Sequence, residues 1–170
     1  MAKVASIMTD WFEDCEYTDP KIALETEGHT VVTVGIEKGS VVIGKAENTK
    51  VTIEVGIDEA DPSKFDALLI PGGYSPDKLR GDERVLDFVR HFAQYRKPIF
   101  TICHGPQLLV NADVIRGKDL TAVKQCAIDV TNAGANFYDA PVIIDPSGII
   151  SSRTPADLPE FNKAIVDALK

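Results

Sequence analysis

Residues Lys97–Val110 read KPIFTICHGPQLLV. Ile99 to Ile102 form a short apolar run with β-branched residues, bounded by Pro98 and a Gly-Pro turn, as expected for a buried strand. After Gly105-Pro106 the pattern restarts as a helix through PQLLVNADVI, with proline in its first turn. Cys103 and His104 therefore fall on a sharp strand-to-helix turn, where free backbone N–H groups converge.

The same alternation extends outward. Upstream, GDERVLDFVRHFAQYRK carries Val85, Leu86, Val89, Phe92 and Ala93 at helical spacing. FDALLIPGG before it is a buried strand ending in Gly72-Gly73. Between Glu37 and Glu59, two β-rich runs around a polar turn predict a hairpin excursion. HTVVTVGI reads as a strand, and KVASIM near the N-terminus as another. Between those two, a helix is expected from Asp19 as cap and Pro20 in its first turn to a stop at Gly28. Downstream, LTAV is a short strand and QCAIDVTNAG a helix closing at Gly134. APVIIDPSGIISS is a hairpin with a Pro-Ser-Gly turn, and TPADLPEFNKAIVDALK an amphipathic helix capped by Thr154.

Strands alternating with helices predict an α/β protein with an open, mostly parallel sheet covered on both faces, one domain over residues 1–170. Ligands in such folds bind beyond the carboxyl ends of the strands. Three loops on that edge carry the chemically interesting residues: Glu13 after the first strand, Gly72-Gly73, and Cys103-His104.

Composition narrows the function. The chain of 170 residues has 44% hydrophobic and 26% charged residues and a net charge of −8. No basic stripe is present to neutralise phosphates, so no nucleic-acid partner is expected. No apolar run approaches a membrane span, and MAKVASIM lacks a secretory pattern, so a cytoplasmic protein is expected. The three cysteines, Cys15, Cys103 and Cys126, form no Cys-x-x-Cys pair, so neither a disulfide framework nor a metal is expected, and no cofactor.

Cys103 has two readings. At a helix start its thiol would be drawn toward thiolate and serve as a nucleophile on an elbow; alternatively it is a small buried hydrophobe. Gly72 and Gly73 either turn backbone amides toward the thiol as an oxyanion hole or simply end a strand. Glu13, buried beside a thiol, would keep its proton and bond the thiolate; otherwise it is surface charge. Asp14 and Glu16 read as solvated acids. His104 acts as a base only if its side chain shares the cleft, while its N–H is a separate oxyanion donor. His29 and His91 read as structural or solvated, Cys126 as packing, and Cys15 as a residue with no assigned role. Trp11 and Phe12 read as core anchors.

FEDCE after the first strand, LIPGG, ICHGPQLL and SSRTPADLPEF together resemble the PfpI (intracellular protease I) branch of the DJ-1/PfpI superfamily, across essentially the whole chain. The resemblance implies a flavodoxin-like three-layer sandwich and a homodimer, often assembled into hexamers. It implies that Cys103 is the reactive cysteine, Glu13 the carboxyl that bonds it, and Gly73 and His104 the backbone oxyanion donors, positioned by Gly72. It also implies a triad of His104 with an acid from a neighbouring subunit. The corresponding position here is Asp77, one methylene shorter than the family's glutamate.

Family members are described as stress proteins, proteases, glyoxalases and deglycases. Addition of a thiolate to a carbonyl suits small 2-oxoaldehydes and their adducts with amines or thiols. Peptide cleavage would also need a groove for an extended chain. The reading from a different class is a redox or stress sensor in which Cys103 is oxidised without turnover.

Overall fold

The computed structural model describes residues 1–170. The elements, in chain order, are β1 (Lys3–Ile7), α1 (Asp14–Thr26), β2 (Thr30–Gly35), β3 (Val41–Ile43), β4 (Lys50–Thr52), β5 (Val55–Gly56), β6 (Ala67–Ile70), α2 (Ser75–Leu79), α3 (Glu83–Gln94), β7 (Ile99–Ile102), α4 (Pro106–Ala112), β8 (Asp119–Leu120), α5 (Ala127–Asn132), β9 (Asn136–Phe137), β10 (Val142–Ile144), β11 (Ile149–Ser152) and α6 (Leu158–Ala168). One seven-stranded sheet runs β10-β11-β7-β6-β1-β2-β5. Every neighbour pair in it is parallel except β10 with β11.

Side-chain alternation along the strands sorts the core onto two faces. Ala5, Ile7, Leu68 and Ile70 pack with α3, α4 and α5 through Phe88, Phe92, Leu108, Leu109 and Val130. Val4, Met8, Ala67, Leu69, Phe100 and Ile102 pack with α1 and α6 through Tyr17, Leu24, Phe161 and Ile165. The expected flavodoxin-like sandwich and its hairpin excursion, β3 with β4, are therefore present.

Four local expectations are corrected. Helix α1 starts at Asp14 and takes Pro20 into its interior. The start moves forward because the preceding residues are clamped to the diglycine loop: Glu13 N–H donates to Gly72 O at 3.2 Å and Tyr74 N–H to Trp11 O at 2.8 Å. Helix α4 stops at Ala112, where Asp113 turns left-handed at φ 58°. Strand β8 leaves the main sheet and pairs with β9. Thr154 makes no side-chain cap; it precedes a short 3-10 turn, and α6 begins at Leu158.

Strands β1, β6 and β7 are adjacent in the sheet, so the loops after them meet at one edge.

Candidate active site

Cys103 follows β7 and adopts φ 62°, in the left-handed region that disfavours a side chain. The turn is held from two sides: Cys103 N–H donates to Ser152 O at 3.0 Å, and its carbonyl accepts from Val123 N–H at 3.0 Å. Only glycine fits at position 105, where a Cβ would lie 2.7 Å from Ile70 O and against the Thr101 hydroxyl. The thiol is half-buried, and His104 Nδ1 lies 3.4 Å from its Sγ.

The carboxyl beside this thiol belongs to Glu16. Expected as a solvated acid, Glu16 is fully buried. Its Oε1 accepts the Gly72 N–H at 2.9 Å. Its Oε2 is buried with no nitrogen or oxygen partner, and the Cys103 thiol and the Lys45 ammonium are the other groups that favour its charge. Gly72 is the wall between the two residues: a Cβ there would lie 2.9 Å from Cys103 Cβ and collide with Glu16 Oε1. Burial, with Glu13 nearby, pushes the Glu16 carboxyl up to about 8, so it is protonated at neutral pH.

Glu13 ends instead as the residue before α1, its Oε2 2.8 Å from Lys45 Nζ at the rim. The early start of α1 explains the difference. Glu16, Tyr17, Pro20 and Leu24 form the buried stripe of the helix, and Glu13 lies before it begins. That stripe was the available signal; placing the helix start at Asp19 concealed it. Asp14, also expected in solvent, is buried. Burial alone would raise its pKa, but hydrogen bonds from Thr49 and Ala46 outweigh this and hold it at about 2.

For Cys103 itself, burial and then the Glu16 charge push the thiol up, against the pull of the His104 N–H. The lowering expected from the helix start is outweighed. A thiolate forms here only while Glu16 keeps its proton, because two adjacent anions in a buried site repel. Burial and then the Lys45 charge keep the His104 imidazole below its ordinary value.

The N–H groups of Gly73 and His104 donate to no backbone carbonyl, and that of His104 is directed at the Cys103 thiol, whereas that of Gly72 is taken by Glu16. Gly73 has φ 76°, and a Cβ there would stand 2.5 Å from Glu13 N. Asp77 is largely exposed, 3.7 Å from Arg80, and makes no hydrogen bond to His104 within the protomer. Of the two aromatic anchors, Phe12 is buried and Trp11 is 43% exposed. Cys126 is buried, and burial pushes the Cys15 thiol up to about 11. His29 Nδ1 accepts the Ala2 N–H at 2.9 Å, and His91 Nε2 lies 3.0 Å from Lys97 Nζ. No cluster of His, Cys, Asp and Glu side chains is arranged to hold a metal ion, and no helix is long and apolar enough to cross a membrane.

The two concave pockets lie elsewhere. One is lined by β10, β11 and α6 residues such as Val142, Ile144 and Ala164, the other by α1 and α6 residues such as Ala23 and Val166.

Comparison with known proteins identifies a family. A profile of the DJ-1/PfpI family matches residues 2–168. Protein/nucleic acid deglycase 2 of Escherichia coli K12 is 54% identical over 161 residues, covering 95% of this chain and 94% of that protein. General stress protein 18 of Bacillus subtilis is 45% identical over 161 residues, again 95% and 94% of the two chains. The crystal structure of a two-domain protein from Anabaena variabilis, with DJ-1/ThiJ/PfpI-like and ferritin-like domains, matches with a TM-score of 0.96 at 35% identity. That match covers 99% of this chain and 48% of the other, so this chain spans about half of the two-domain protein.

Proposed function

The chain belongs to the DJ-1/PfpI family, and from that premise we propose that it is a cysteine-dependent enzyme removing 2-oxoaldehyde adducts from amines and thiols. Cys103 is the nucleophile and Glu16 the proton carrier. The observation that carries this reading is a protonated, buried carboxyl beside a cysteine held in a strained elbow. The 54% identity to a protein named as a deglycase supports it.

The adduct of methylglyoxal with an amine is a hemiaminal. The Cys103 thiolate forms a bond to the aldehyde-derived carbon, the C–N bond breaks, and the amine leaves with the Glu16 proton. The resulting hemithioacetal gives its C–H proton to the Glu16 carboxylate. In the enediolate so formed the hydroxyl proton passes from the oxygen on the sulfur-bearing carbon to the neighbouring oxygen, and Glu16 returns its proton to the adjacent carbon. The product is a thioester of lactate. Water attacks it, the C–S bond breaks, and lactate leaves with the thiol–carboxyl pair restored. Oxyanions formed along the way take the N–H groups of Gly73 and His104, the latter released from the thiol as the C–S bond forms. The His104 imidazole, kept neutral, is available as a base for the attacking water, and Asp77 is its acid partner only if a second subunit brings one within reach. A homodimer is the working assembly in this reading, to be checked by light scattering. The pockets on α6 do not reach Cys103, which favours small adducts over extended peptides.

Methylglyoxal-modified N-acetyl-lysine or a modified thiol tests this directly. The expected result is release of free amine or thiol together with lactate over many turnovers, and none from Cys103→Ser. A single oxidation event per chain at Cys103, without lactate, would overturn the enzyme reading in favour of the sensor.

A further inference from the structure

We propose that Lys45 is a positioning residue for the reactive thiol: its ammonium, delivered by the β3–β4 turn, pins Glu13 at the rim and offsets the carboxylate charge facing Cys103, so that the thiolate can form. This rests on the reading of Cys103 as the nucleophile and adds a residue to it.

The turn is built to carry that side chain. Lys45 N–H donates to Phe12 O at 2.9 Å, and Gly44 N–H to Thr49 O at 2.8 Å. The buried Asp14 carboxylate takes Ala46 N–H at 2.8 Å and Thr49 N–H at 3.0 Å. Gly44 packs directly on this carboxylate, leaving no room for a Cβ. From this clamp the Lys45 ammonium reaches Glu13 at 2.8 Å and stands 5.6 Å from the centre of the Tyr74 ring. Its charge acts on Glu16, His104 and Cys103 together.

The thiol has few other sources of positive potential. Helix α4 is only seven residues long and opens on Pro106, which has no N–H. Arg153, at the end of β11, is already bound to Asp157 and Asp139. The charges that oppose a thiolate at Cys103 are Glu16, Glu13 and the Cys126 thiol, and those that act on His104 from the acidic side are Asp77 and Glu13. Lys45 is the cation that opposes this acidic set.

The test needs no substrate, so it is separable from the proposed turnover. Iodoacetamide alkylation of Cys103 is followed by peptide mass spectrometry across pH in the full chain, with Cys15 and Cys126 as internal controls. Lys45→Met is expected to raise the Cys103 midpoint by about one pH unit, roughly ten-fold slower alkylation at neutral pH. Lys45→Arg should stay within about two-fold of the parent, because the charge is kept. Glu13→Gln should move the midpoint down. If Lys45→Met does not fold, Lys45→Gln carries the same loss of charge.

Where turnover is measurable, the Lys45→Met loss in kcat/KM should be restored in Lys45→Arg, which keeps the charge, while a merely structural defect would not follow charge. An unchanged Cys103 profile in the charge-removing variants would overturn the proposal. So would a Lys45→Arg protein that behaves like Lys45→Met.

Discussion

At the carboxyl ends of β1, β6 and β7 the backbone is strained and the polar groups are buried; where α6 meets β10 the backbone is regular and the charges are in water. The first region holds Cys103, Gly73 and Trp11 at positive φ, together with a fully buried carboxyl at Glu16. The second holds a concave apolar groove rimmed by Glu160, Lys163 and Asp167, with Lys163 and Asp167 paired at 2.8 Å near solvent. A side chain held in the left-handed region costs about 1–3 kcal/mol, and a buried carboxyl must be stabilised by its surroundings or keep its proton. Such costs persist where the surrounding structure over-determines them. The reactive edge is therefore marked by strain and buried polarity, not by the depth of a pocket.

The largest expected effect that would break this contrast is at Glu16. Glu16→Gln keeps the shape and the neutral charge but cannot carry a proton, so lactate formation should fall by roughly 10²–10⁴-fold. Its stability has a defined pH signature. Because the folded-state pKa is raised from 4.5 to about 8, the Glu16 contribution is fully present below 4.5 and is lost as pH rises to about 8. Urea denaturation across that window should show a decline in the parent that Glu16→Gln flattens. Equal slopes in the two proteins would mean that Glu16 is not held protonated.

Next is the loop clamp at Gly73. Gly73→Ala places a methyl at φ 76° against Glu13 N and Phe12 C, where the neighbouring backbone must move. A loss of roughly 3 kcal/mol is expected by chemical denaturation. Gly39→Ala, at φ 85° with nothing within 4 Å, isolates the conformational part and should cost about 1 kcal/mol. Similar losses at the two positions would show that the contact of the first loop with the diglycine is dispensable.

Asp14→Ala removes the acceptor for the Ala46 and Thr49 N–H groups and should cost about 1–3 kcal/mol in thermal or urea unfolding at neutral pH. The parent's Asp14 contribution is present above 3.8 and fades as pH falls through about 2, so the difference between parent and variant should shrink in acid.

The smallest effect belongs to the other region. Lys163→Ala should change stability by less than about 0.5 kcal/mol and leave turnover unaltered. A loss of turnover there would make the α6 groove part of the working site and dissolve the contrast.

The architecture was legible because it depends on local patterns. Ile99–Ile102, Ala67–Ile70 and Lys3–Ile7 are short buried runs, and Val85, Leu86, Val89 and Phe92 repeat at helical spacing, so strands and helices are distinguishable by period alone. The Gly-Pro turn after Cys103-His104 likewise marks the elbow in the chain itself. The different outcome at Glu16 has a non-local origin. Asp19-Pro20 is a good helix start, yet the helix begins at Asp14, because Glu13 and Tyr74 donate across to the diglycine loop and to Trp11. That contact joins residues some sixty positions apart, and no local preference encodes it.

By itself, the sequence determined the α/β order, the parallel sheet, the carboxyl edge as the place for chemistry, and the cysteine on the elbow. Periodicity and turn chemistry act within a few residues, and they suffice for this. The tertiary structure alone decided which acidic side chain faces the thiol, where Lys45 points, and that burial raises the thiol rather than lowering it. Those are questions of which charges share a low-dielectric space, and that is set only when distant loops are packed together.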